Sequence, residues 1–101
     1  MNASDEIDAL HIRIYGQVQG VFFRKWTVQE ATKRGLRGWV RNRSDGSVEA
    51  VFVGLQSALG DMVAACQKGP PKAQVERLVQ IPGEYAPDED EVPGFSEMPT
   101  V

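Results

Sequence analysis

Residues 16–24 read Gly-Gln-Val-Gln-Gly-Val-Phe-Phe-Arg and set two glycines and a guanidinium between an alternating, strand-like run and a helix-like one. Glycine lets a backbone turn tightly and come close to a ligand. Successive peptide N–H groups in such a turn, with the free N–H groups of a helix start, make an anion cradle. Arg24 falls in the first turn of the expected helix, where it adds a charged fork matched to phosphate oxygens. The combination reads as a phosphate site. Spacing alone leaves a second reading open, because Gly-rich links between strand and helix also arise for steric reasons, with the arginine simply solvated. Neither GxxxxGK[ST] nor GxGxxG is present. A phosphate held here is therefore not expected to belong to ATP or a dinucleotide.

The rest of the chain is poor in the usual catalytic groups. It has one histidine, one cysteine and no metal-ligand spacing. His11 alternates onto the polar side of the first strand and is expected to face solvent. Cys66 lies on an apolar helical stripe and reads as a packing thiol. Asp45 is explained by a turn. Asn42, at the end of a strand, is of a type that commonly bonds its own backbone in turns, which is the reading its position alone favours. A reaction run here should need neither a covalent nucleophile nor a metal, and no cofactor is expected.

The 16–24 stretch resembles the first signature of the acylphosphatase family, a Gly-x-Val-Gln-Gly-Val-x-Phe-Arg run. Gly38-Trp39-Val40-Arg41-Asn42, then Gly46, Val48 and Gly54, resembles its second signature. The likeness runs from about residue 9 to about residue 70. It implies hydrolysis of the carboxyl–phosphate anhydride of acyl phosphates. On that resemblance, the backbone N–H groups of Gln17, Val18, Gln19, Gly20, Val21, Phe22 and Phe23 hold the phosphate oxygens and Arg24 clamps the same group. Asn42 then orients the attacking water, with Gly16 and Thr27 as supports. Local chemistry agrees, because a carboxylate leaving group needs no general acid and phosphoryl transfer is mostly positioning and electrostatics. The resemblance also implies an acyl phosphate as substrate and inorganic phosphate as product.

The elements that must position these residues follow from periodicity. Residues 9–15 alternate Leu10, Ile12 and Ile14 against His11, Arg13 and Tyr15, the mark of a half-buried strand. A helix is expected over about 22–34, stopped by Gly35. A strand over 36–42, a turn at 43–46 in which Asp45-Gly46 supplies positive φ angles, and a strand over 47–53 make a hairpin. Residues 56–68 carry an apolar stripe of Ala58, Leu59, Met62, Val63 and Cys66 and end at Gly69-Pro70-Pro71. A fourth strand is expected over 73–81, then an exposed acidic loop over 82–94, and 95–98 is a candidate short edge strand. The order βαββαβ is that of a ferredoxin-like α+β sandwich, an antiparallel sheet with both helices on one face. The right-handed crossover rule makes the first two strands parallel, so the 16–24 loop and Asn42 emerge at one rim. After Gly69 the sequence follows the family only loosely, and Pro99 argues against a long closing strand, which leaves the pairing of 94–101 open without touching any proposed site residue.

At 101 residues the chain reads as one domain, 1–101, with residues 1–8 a flexible N-terminus. The net charge is −3, yet residues 24–43 hold Arg24, Lys25, Lys33, Arg34, Arg37, Arg41 and Arg43 against Glu30 alone. Such a local field draws small anions. Overall acidity argues against nucleic acid. The polar, acidic start, the lone cysteine and the lack of a long apolar stretch give the expectation of a cytoplasmic monomer without membrane contact. Two rivals stand beside the hydrolase: a non-enzymatic module binding phosphate or carbamoyl phosphate, and an RNA-binding sheet of the same topology using Tyr15 and Phe52.

Overall fold

A computed structural model describes residues 6–82 and 94–101. In chain order the elements are β1 (Ile7–Gln17), α1 (Phe23–Lys33), β2 (Arg37–Asn42), β3 (Val48–Leu55), α2 (Gln56–Lys68), β4 (Gln74–Gln80) and β5 (Phe95–Glu97). The sheet order is β4-β1-β3-β2-β5. The pairs β1–β3, β1–β4 and β2–β3 are antiparallel, whereas β5 runs parallel to β2, so the sheet is mixed. Ile7 and Asp8, read from the sequence as part of a loose N-terminus, pair with Leu55 and Gly54. The acidic run 88–91, and most of the expected 82–94 loop, lie outside the described residues. Among the described residues no helix is long and apolar enough to cross a membrane.

Alternation in β1 turns Ile12 and Ile14 toward the helices, where Phe23 and Ala31 of α1 and Leu59, Met62 and Cys66 of α2 cover them. The expected alternation fails in β3. Val48, Ala50 and Phe52 join the core beneath the helices, but Glu49, Val51 and Val53 on the opposite side are buried as well. The cause lies in the neighbouring strands. Val51 is flanked in register by His11 of β1 and Trp39 of β2, whose rings meet edge to face at 6.3 Å. Phe52 stacks on Phe95 at 5.2 Å inside the core, and the Arg77 guanidinium lies 4.3 Å over the Tyr15 ring. The two aromatics that an RNA-binding sheet would have used therefore lie on opposite sides of the sheet.

The β2–β3 hairpin differs in one detail. Gly46 has a positive φ of 92°, but Asp45 does not. Asp45 instead acts through its carboxylate, which accepts from Ser47 N at 2.9 Å and from Ser47 Oγ at 2.6 Å. Beyond β5 the chain continues along β2: Met98 N donates to Val40 O at 2.8 Å and Val101 N to Asn42 O at 3.1 Å. Pro99 has no N–H to give, which breaks the ladder without detaching the tail.

Candidate active site

The loop between β1 and α1 is shaped by its glycines. A register shift at Tyr15/Gly16 bends the end of β1. Gly16 has φ 127°, and a Cβ there would lie 2.2 Å from the Gln74 carbonyl oxygen, so only glycine fits. Gly20 adopts φ 74° with open space beside it. Val18 points inward and is fully buried, pinning the loop to the core. The Gln19 side-chain amide donates to Arg43 O at 2.8 Å and to Ser47 O at 2.9 Å, lashing the loop to the β2–β3 hairpin.

Phe22 then opens α1 in a left-handed conformation, φ 63° and ψ 25°. This costs a non-glycine residue on the order of 1–2 kcal/mol. It makes no side-chain cap, and the first turn contains no acidic residue. Trp26 N is the donor to Phe22 O at 3.0 Å, which leaves the N–H groups of Phe23, Arg24 and Lys25 without an intrahelical partner. An uncapped helix start with an arginine in its first turn suits an anion. Thr27 is fully buried and donates its hydroxyl to Phe23 O at 2.8 Å, bracing that turn.

A cavity of about 350 Å³ lies over this turn, walled by Val18, Gln19, Gly20, Phe22, Phe23 and Arg24, with Asn42 from the end of β2. The structure thus brings the loop and Asn42 together, as the topology requires. Gly16, Gln17, Val21 and Thr27 do not line it: Gln17 is paired with Gln74 at the end of β1, and Val21 faces a neighbouring depression. Two lining residues were missed. Lys25 was visible in the sequence as the residue after Arg24. Glu97 was not, because only the parallel placement of β5 beside β2 brings it there.

Asn42 does not make the turn contact that its position alone favours. Its Oδ1 is buried and has no hydrogen-bond partner among the described residues. Its backbone carbonyl accepts from Val101 N, and Val101 O accepts from Ser44 N at 2.6 Å. The C-terminal segment, whose pairing the sequence leaves open, therefore clamps the backbone of Asn42 and supplies Glu97 to the wall.

The basic stretch 24–43 sorts itself by partner. Lys33 and Arg34 pair with Glu30. Arg41 Nε and Arg43 Nη1 each donate to Glu49 Oε1 at 2.8 Å, and His11 Nε2 meets Glu49 Oε2 at 2.6 Å. His11 is thus tied to a carboxylate rather than facing solvent. Glu49 is only 3% exposed. Burial pushes its carboxyl up, but the hydrogen bonds from His11, Arg41 and Arg43 outweigh that and hold it at about 2. Trp39 lies on the open face of the sheet with the Arg41 guanidinium 4.6 Å over its ring. Among the described residues Arg24 and Lys25 have no ion pair, so their charges remain available at the cavity.

Comparison with known proteins covers the whole of this region. The acylphosphatase family model matches residues 10–96. An acylphosphatase of Rhodospirillum rubrum is 51% identical over 92 residues, covering 91% of this chain and 97% of the relative. One of Rhizorhabdus wittichii is 44% identical over 105 residues and covers both chains fully. The crystal structure of acylphosphatase from Bacillus subtilis superposes with a TM-score of 0.80 at 34% identity, over 92% of this chain and 99% of that one. The match takes in the strained loop, the uncapped start of α1 and the end of β2 together, and on it the chain belongs to the acylphosphatase family.

Proposed function

We propose that the chain hydrolyses acyl phosphates to a carboxylate and inorganic phosphate, with Arg24 and Asn42 as its catalytic residues. The observation that carries this reading is the pairing, across one cavity, of an uncapped helix start bearing Arg24 with the side chain of Asn42 at the end of β2. The N–H groups of the loop and of the first turn of α1 hold the phosphoryl oxygens, and Arg24 adds a bidentate clamp whose grip tightens as charge builds in the transition state. The Asn42 side-chain amide hydrogen-bonds a water and directs its oxygen at phosphorus. The P–O bond to the acyl group breaks as the water oxygen attaches, the electron pair leaves with the carboxylate, and the water's protons pass to phosphate and solvent. Asn42 suits the task because a neutral amide does not repel the phosphate. An acidic composition and a lone buried thiol support work as a cytoplasmic monomer.

Release of benzoate from benzoyl phosphate in excess EDTA tests the reading, with Arg24→Ala alongside. Rapid hydrolysis by the wild type and a loss of about 100-fold or more in the variant are expected, the scale of one transition-state contact. An unaltered rate in a folded Arg24→Ala protein would remove Arg24 from the mechanism.

A further inference from the structure

The phosphate cavity adjoins a second depression of about 410 Å³, whose walls include Val21, Phe22, Trp26, Pro70 and Pro71. Phe22 and Lys25 line both. Asn42 lines only the first. The floor is firmly built. A Cβ on Gly69 would lie 2.7 Å from Phe23 Cε2, and this close approach seats the Pro70-Pro71 turn against the start of α1. Trp26 packs edge to face on buried Phe23 at 5.4 Å.

Phe22 divides the two spaces and is anomalous on two counts. The residue is 74% exposed, and its backbone is left-handed, where glycine or asparagine is at ease and a bulky side chain is not. Its position in the resembled signature is one the pattern leaves open, so the loop itself does not demand an aromatic there. Neither feature returns packing energy to the fold. Both make sense if the ring meets a ligand.

Resting on the acyl phosphate reading above, we infer that the acyl half of the substrate lies in this depression against Phe22 and Trp26, and that the chain prefers acyl phosphates whose acyl group is aromatic or branched and apolar. In-line attack places the leaving carboxylate on the side of phosphorus opposite the water. With the water at Asn42, the acyl group leaves the cavity away from Asn42, and the depression that Asn42 does not line takes it. An apolar shelf gains from each apolar surface it covers, whereas an acetyl group is too small to reach across it.

The test is the ratio of kcat/KM for benzoyl phosphate to that for acetyl phosphate, measured in the wild type, in Phe22→Asn and in Trp26→Leu. Asparagine keeps the left-handed backbone, so the first variant retains the loop geometry. The ratio cancels any common change in phosphoryl handling. It is expected to fall about tenfold in Phe22→Asn, as for the loss of roughly 55 Å² of apolar contact, and to fall also in Trp26→Leu. The change should sit mainly in KM for benzoyl phosphate, as loss of uniform binding does. An unchanged ratio in both variants, with the wild type hydrolysing both substrates, would overturn the inference and leave the reaction standing. A wild type that hydrolyses neither would overturn both.

Discussion

Replacing Glu49 by glutamine should lower stability by about 3 kcal/mol at pH 7, and the loss should vanish in acid. The side chain is almost wholly enclosed and holds His11, Arg41 and Arg43 within 2.6–2.8 Å. Its carboxyl lies at about 2 against an ordinary 4.5. A folded-state value below the unfolded one means that the folded state gains from ionisation. That gain is complete above about pH 4.5 and is lost as the pH falls toward about 2. At roughly 1.4 kcal/mol per pH unit the interval corresponds to about 3 kcal/mol. Glutamine imitates the protonated acid in size, so the variant should behave at every pH as the wild type does once Glu49 is neutral. It also leaves Arg41 and Arg43, with Arg13 opposite in register, facing one another without a counter-charge. Urea denaturation midpoints from pH 7 to pH 2 would measure this. The two curves should be parallel from pH 7 to pH 5 and converge by about pH 2. A deficit under about 1 kcal/mol at pH 7, or one of equal size at both ends, would refute the argument that ionised Glu49 is what these three side chains hold in place.

Two further outcomes follow from the same geometry. Gln19→Ala removes the two bonds that lash the loop to the hairpin; because both carbonyls keep a backbone donor, it should cost only about 1–2 kcal/mol in thermal or urea denaturation. The misplacement of the loop should nonetheless cut kcat about tenfold or more, and unchanged turnover would show that the lashing is idle. Burial pushes the Cys66 thiol up to about 12, so a thiol reagent such as dithiobis-nitrobenzoate should leave the native protein untouched and titrate one thiol per chain only in denaturant.

Much of this architecture could be read from short-range pattern. The alternation of β1, the three-to-four spacing of Phe23, Trp26 or Thr27, and Glu30 or Ala31, and the Gly-Pro-Pro stop after α2 are local signals, and the structure obeys them, burying Phe23, Thr27 and Ala31. The loop between β1 and α1 was legible for the same reason, since glycines, helix start and arginine are contiguous. What escaped depends on which strands lie side by side. Glu49 belongs by alternation to the polar face of β3, yet it is buried because β1 and β2 flank it and lay His11, Arg41 and Arg43 over it. Val51 and Val53 are covered on that face for the same reason. The parallel placement of β5 is a long-range event too, and with it went Glu97 and the Val101 clamp on Asn42. Asp45 shows a smaller failure: the Asp-Gly pair marked the turn correctly, but its carboxylate, not its φ angle, closes it.

The most direct test of the mechanism is steady-state turnover of benzoyl phosphate by Asn42→Ala, with inorganic phosphate as competitive inhibitor. The loop, the start of α1 and Arg24 remain in this variant, so phosphate should inhibit it as it does the wild type. Without the amide to direct the water, kcat should fall about 100-fold or more. A variant that keeps near wild-type kcat would contradict the assignment of water positioning to Asn42, and with it the account of how this cavity works.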